Sequence, residues 1–155
     1  MAYQKVPDSD HVARYCNPQR VIRDPRTLAV TGVRPQAFEL RPEIKETYLS
    51  TYWMEFPPSD QATVDTQFRT VLTTLRRKHP NVRSNGAFAR LNAGRIVQSG
   101  SSRGHSIRVL CRSKRSDPGY TGVYGMPLDN SDSILLAELA NECCIEVLGV
   151  ADLER

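Results

Sequence analysis

The side chains able to do chemistry are few and scattered: His11, Arg14, His105, Tyr120 and Tyr124. A histidine can move a proton near neutral pH, an arginine can grip a phosphate, and a phenol can donate to one. Brought together, these residues would serve cleavage or transfer at a phosphodiester or a nucleotide. His79 follows Arg76-Arg77-Lys78 and reads as one more cation at a helix end. No GxxxxGK[ST], GxGxxG, HExxH or nucleophile elbow is present, and no paired carboxylates stand out. Cys16, Cys111, Cys143 and Cys144 lack C-x-x-C spacing. Neighbouring cysteines on a helix point about 100° apart, so Cys143 and Cys144 suit a shared metal poorly. The cysteines read as small reduced core residues, and no metal or cofactor is expected.

A second candidate is the segment SDPGYTGVYGMP, residues 116–127. By composition it is a loop, with Asp117, Gly119, Tyr120, Gly122, Tyr124 and Gly125 as its ligand-facing residues. Glycines permit close backbone approach, and tyrosines can stack on a base or donate a hydroxyl.

The third candidate is a matter of charge. The formal net charge is +4, but its layout is uneven. Residues 1–65 hold 8 Lys/Arg and 9 Asp/Glu, residues 66–116 hold 12 Lys/Arg and no acid, and residues 117–155 hold 8 acids and 1 base. An acid-free tract of that length produces a positive surface wherever it is exposed. Arg76, Arg77, Lys78, Arg90, Arg95, Arg103, Arg108, Arg112, Lys114 and Arg115 are the candidate phosphate contacts. Aromatic stacking partners are missing from the tract apart from Phe88, and no RRM or KH signature appears. The acidic C-terminal segment could neutralise part of the tract from within.

These residues need elements to position them. The chain of 155 residues is 39% hydrophobic and 25% charged, which suits one soluble domain over residues 1–155. No run approaches a membrane span and the N-terminus lacks an apolar leader, so a cytoplasmic protein is expected. Residues 1–35 read as irregular, with a short helix over DSDHVARYC. Ala37–Leu40 and Tyr48–Phe56 read as strands. SDQATVDTQFRTVLTTLRRKHP places Val64, Phe68, Val71, Leu72 and Leu75 on one helical stripe, capped by Ser59 or Asp60. Short strands follow at 86–92, 95–98 and 106–113, then a second helix over DNSDSILLAELANECCIEVLGV with Glu138, Glu142 and Glu146 aligned. The expectation is α+β: a small antiparallel sheet with two principal helices packed on one face.

The order HVARY (11–15), AFELR (37–41), LSTYWME (49–55) and DPGYTGVYG (117–125) resembles a family of small uncharacterised bacterial proteins. Its pattern runs HVxRY, AFxLR, LSxxWxE and DPxHxGIYG. The resemblance implies a bacterial source and a shared 117–125 segment, and carries no reaction with it. Tyr120 stands where that pattern has His.

The leading expectation is a basic accessory or adaptor protein that contacts nucleic acid or an acidic protein surface through residues 66–116. One alternative is a phosphate-chemistry enzyme, a nuclease or nucleotide transferase, using His11, Arg14, His105 and Tyr120 or Tyr124. Another is a protein-interaction subunit of a bacterial multi-component system.

Overall fold

A computed structural model describes residues 3–58 and 62–155. The chain is α+β, built on a seven-stranded antiparallel sheet of order β1-β7-β8-β5-β2-β6-β9. The strands are β1 (Gln4–Lys5), β2 (His11–Cys16), β5 (Tyr48–Trp53), β6 (Ala87–Asn92), β7 (Arg108–Cys111), β8 (Tyr120–Tyr124) and β9 (Cys144–Gly149). A separate hairpin pairs β3 (Val21–Arg23) with β4 (Val30–Val33). Its turn is held by Asp24, which accepts from the backbone N–H of Arg26 at 2.8 Å and of Thr27 at 3.0 Å.

Residues 3–35 are therefore not irregular. The expected short helix over DSDHVARYC is β2, which lies inside the sheet and pairs residue for residue with β6, from His11 opposite Asn92 to Cys16 opposite Ala87. Pairing on both sides overrides a weak capping signal. The expected strand at 37–40 begins instead in a 3-10 turn, Pro35–Phe38, whose Phe38 is 1% exposed.

The sheet is larger than expected and covered on both faces rather than one. Val12, Leu49, Trp53, Ala89, Leu91, Val109 and Val123 face one cluster, with Phe38, Ile96, Leu135, Leu139 and Cys143 packed over them. Ala13, Tyr52 and Phe88, from the alternate positions of the same strands, face Phe68, Val71 and Leu72 of α1 (Val64–Lys78) and Val150 and Leu153 of α4 (Val150–Leu153). Central strands apolar at consecutive positions require a layer on each side.

α1 buries Phe68, Val71 and Leu72 of the expected stripe, with Leu75 partly buried and Val64 exposed. Its N-cap is Thr63, whose side chain accepts from Thr66 N–H at 3.2 Å. The expected caps Ser59 and Asp60 lie outside the described residues. The expected strand at 95–98 is part of α2 (Ala93–Ser102), because the Asn92 side chain accepts from Arg95 N–H at 2.9 Å and starts a helix where a turn was expected. The expected second long helix is α3 (Ser133–Glu138), a π-helical segment Leu139–Cys143 and then strand β9. Cys144-Ile145-Glu146-Val147-Leu148 is β-prone and pairs along β6. Glu146 therefore leaves the expected glutamate row and meets Arg90. Within the described residues no helix is long and apolar enough to cross a membrane.

Candidate nucleic-acid interface

The middle of the segment expected as a loop is an interior strand: residues 120–124 form β8 between β7 and β5, while 116–119 turn before it and 125–127 follow it outside the sheet. A strand sends alternate side chains to opposite faces. Thr121 and Val123 go to the core, 0% and 2% exposed. Tyr120, Gly122 and Tyr124 go to the other face, opposite Tyr52, Ser50 and Tyr48 of β5. The glycine-tyrosine spacing is thus the period of a strand. Gly122 is small because Tyr48 and Tyr124 lie across it: a Cβ there would stand 2.6 Å from Tyr124 Cε2 and 2.9 Å from Tyr48 Cδ2. Gly125 ends the strand at φ 93°, with a virtual Cβ 2.2 Å from Ser106 O.

α1 and α4 cover only part of this face. Over β2, β6 and the Trp53 end of β5 the face is closed by Phe68, Val71 and Leu72. Among the described residues, no helix lies over β7 and β1, and only the end of α1 reaches β8, with Lys78 over Tyr120. By register this part of the face carries Tyr48 and Ser50 of β5, Tyr120 and Tyr124 of β8, Arg108 and Leu110 of β7, and Lys5 of β1. Tyr3 stacks on Tyr124 at 6.1 Å and 24°, and Tyr124 meets Tyr48 at 4.8 Å between centroids. Arg112 donates to Tyr124 Oη at 3.3 Å and holds its guanidinium 4.9 Å from the Tyr3 ring centre.

The cations converge where this open face meets the C-terminal end of α1. A cleft of about 420 Å³ is lined by Tyr48, Arg77, Lys78, Arg112, Lys114 and Tyr120, with Ser116 and Asp117. Lys78 Nζ is 4.9 Å from the Tyr120 ring centre and 3.1 Å from Asp117 Oδ2. Asp117 is 6% exposed and accepts from Tyr52 Oη at 2.5 Å. Burial, with this carboxylate beside it, drives the Tyr52 phenol well above its ordinary range. Tyr120 Oη donates to Tyr48 Oη at 3.0 Å and meets Ser50 Oγ at 2.9 Å. Asp117 is thus a framework carboxylate, and the remaining surface of the cleft is aromatic and cationic.

The basic tract does not act as one surface. Arg76 pairs with Glu154 at 3.1 Å, Arg90 with Glu146 at 3.0 Å and Arg103 with Asp132 at 2.8 Å. Arg95 donates to Glu142 O at 3.1 Å, beside α3 and away from the tyrosines. The C-terminal acids neutralise this part of the tract. Arg77, Lys78, Arg108, Arg112 and Lys114 remain on the open face or at its rim, and Arg115 is exposed in the β7–β8 turn.

The histidines are not assembled into a site. His11 Nδ1 contacts Glu55 Oε2 at 2.6 Å, while His105 Nε2 contacts Asp132 Oδ2 at 2.8 Å. Neither lines the cleft with Tyr120, so the expected constellation of His11, His105 and the tyrosines is corrected. Arg14 does approach the tyrosines. It fills the gap where β2 and β5 diverge, donating from Nε to Ala37 O at 3.0 Å and from Nη1 to Ser50 O at 2.9 Å. Burial holds its pKa below the ordinary guanidinium value, although an arginine remains charged. All of the cysteines are free thiols, and burial pushes that of Cys16 up to about 12. Among the described residues no cluster of His, Cys, Asp and Glu could hold a metal ion.

Sequence reasoning had Tyr120 and Tyr124 as residues able to stack on a base but missed Tyr48, which β5 places opposite Tyr124. The signal was the pairing of YLSTY with YTGVY: each alternates aromatic with small residues, so side-by-side strands build an aromatic face. The chain matches no protein-family model, no curated protein and no solved structure.

Proposed function

We propose that the protein binds single-stranded nucleic acid across the open half of its sheet. The observation that supports this reading is an aromatic platform of Tyr48, Tyr120 and Tyr124 rimmed by Arg77, Lys78, Arg112 and Lys114. Phosphates pair with the cations and unstacked bases lie on the phenol rings, each worth roughly 1–3 kcal/mol when a stacking residue is removed. Duplex bases are already stacked on one another and would leave the tyrosines unused. The reading narrows the expected 66–116 surface to the cations that face the platform, and it makes the protein a binding module rather than a nuclease.

The test is fluorescence anisotropy with labelled single-stranded and duplex oligonucleotides at two salt concentrations. Single strands should bind more tightly than duplex, with affinity falling steeply as salt rises. Arg112→Glu should weaken binding at least tenfold, and Arg95→Glu should leave it unchanged. Equal losses from both variants would point to general charge attraction. Absence of binding at low salt, with capture of an acidic polypeptide instead, would replace nucleic acid by a protein partner.

A further inference from the structure

Beside the open face lies a second cavity, on the far side of Tyr120. It is a groove of about 570 Å³ between the diverging ends of β2 and β5 and the segment that follows α1. Its cationic lining is Arg14, Arg41, Lys78 and Arg83, with His79 alongside, and no carboxylate contributes to the wall. Arg41 is engaged by Glu46 at 2.9 Å and Lys78 by Asp117 at 3.1 Å. Among the described residues, Arg14 and Arg83 have no carboxylate within ion-pair distance. Glu46, the acid whose field reaches Arg14, also accepts from the Arg41 backbone N–H at 2.8 Å and so is turned away from the groove.

Two guanidiniums from separate elements, with the hydroxyls of Ser50 and Tyr120 between them, suit a doubly charged anion with several acceptor oxygens. The ring walls of Tyr15, Tyr52 and Tyr120 leave room for a base beside it. The volume falls within the ~300–1,000 Å³ of small-molecule sites. Lys78 and Tyr120 line both this groove and the cleft of the open face, so the two adjoin.

We infer that this groove is a phosphomonoester pocket that takes the phosphate of a nucleotide, either the terminal phosphate of a strand lying on the open face or that of a free mononucleotide. The strand form rests on the reading of the open face; the mononucleotide form does not. Arg14 and Arg83 hold the phosphate, and an adjoining tyrosine takes the base.

The experiment uses the full chain and four probes: one hexanucleotide with a 5′-phosphate, a 3′-phosphate or two hydroxyl ends, and adenosine 5′-monophosphate. One phosphorylated hexamer should bind at least tenfold more tightly than the hydroxyl-ended one, and adenosine monophosphate should compete with it and shift the Arg14 and Arg83 side-chain NMR signals. Arg83→Gln should abolish the phosphate preference and leave hydroxyl-ended affinity unchanged. This variant is chosen because the Arg83 side chain makes no hydrogen bond within the described residues, whereas Arg14 ties together two backbone segments. Arg112→Gln should weaken all hexamers alike and preserve their ratio. Equal affinity for all hexamers, with no NMR shift from adenosine monophosphate, overturns the pocket and leaves the open-face reading standing. Shifts at Arg14 and Arg83 without binding of any hexamer support the pocket as a mononucleotide site and overturn the open-face reading. Silence from every probe overturns both.

Discussion

One face of one sheet is built in two ways. Over β2, β6 and the inner end of β5 it presents Ala13, Phe88 and Tyr52 to an amphipathic helix. Over β8, β7 and β1 it presents tyrosines, arginines and a lysine to solvent. The same strand β5 serves both halves: Tyr52 lies under α1, and Tyr48 lies in the cleft. The covered half spends its apolar area on stability, while the open half keeps aromatic area out of the core where a ligand can reach it. Half-buried aromatic surface beside cations is the feature on which the proposed binding face rests.

The largest effect separating the halves is on stability. Phe68 is 0% exposed and meets Phe88 at 6.0 Å between centroids, sealing the covered half. Phe68→Ala should cost about 3–5 kcal/mol in urea unfolding. A loss below about 1 kcal/mol would mean that α1 is not what holds this half closed.

Tyr52 stands at the seam. Tyr52→Phe removes one partner of a buried carboxylate and leaves Lys78 as its only side-chain partner. The expected cost is about 1–3 kcal/mol. The wild type should also lose stability at alkaline pH, because a phenol whose folded pKa is raised contributes fully below the unfolded value near pH ~10 and less as pH rises above it. Tyr52→Phe should flatten that alkaline limb. An unchanged limb would show that another tyrosine carries it.

On the open half the order of effects reverses. Arg112→Glu should reduce oligonucleotide affinity at least tenfold, about 1.4 kcal/mol, while shifting the unfolding midpoint little. Parallel losses of binding and stability would erase the distinction between the halves.

How much of this was legible in the residues varies with range. The α1 stripe at Val64, Phe68, Val71, Leu72 and Leu75 was legible because a helix repeats its signal locally. α+β class and the free thiols were legible as well. β2 was misread because HVARYC owes its strand state to β5 and β6, far away in sequence. β9 was misread because LANECCIEVLGV is helix-compatible until β6 pairs with it. The candidate site shows the same limit. Tyr120, Tyr124, Arg77, Lys78, Arg112 and Lys114 were each singled out, but the platform needs Tyr48, and the groove is also lined by Ser50 and Arg41. Sheet order, which no local window contains, decides that β8 lies beside β5. Charge was legible in part. The acidic C-terminal segment was expected to neutralise some of the tract, but only the fold decides that Glu146, Asp132 and Glu154 meet Arg90, Arg103 and Arg76.

A subtler change sharpens the role of the platform. Gly122→Ala places a methyl group against the Tyr124 and Tyr48 rings, which are side-chain ends and able to move. Stability should fall modestly, within about 1 kcal/mol, while the near-ultraviolet circular dichroism of the tyrosines changes and affinity drops several-fold. Unaltered affinity with an altered spectrum would separate the tyrosine arrangement from binding.

The smallest expected effect lies on the other face of the sheet, where cations already have partners. Asp132 is held well below the usual carboxylate range by Arg103 and His105, and it also accepts from Leu135 N–H at 3.1 Å at the start of α3. A carboxylate with a depressed folded pKa contributes stability in full above the unfolded value near pH ~4, and that contribution is lost as pH falls toward the folded value. Acid unfolding of the wild type should therefore steepen below pH ~4, and Asp132→Asn should reduce that steepening. Oligonucleotide affinity at neutral pH should not change, because Arg103 and His105 pair with Asp132 and do not line the cleft. If Asp132→Asn were instead to strengthen binding, the freed Arg103 would be part of the ligand surface. The basic tract would then have to be read as one extended face after all, its C-terminal acids acting as competitors for the ligand.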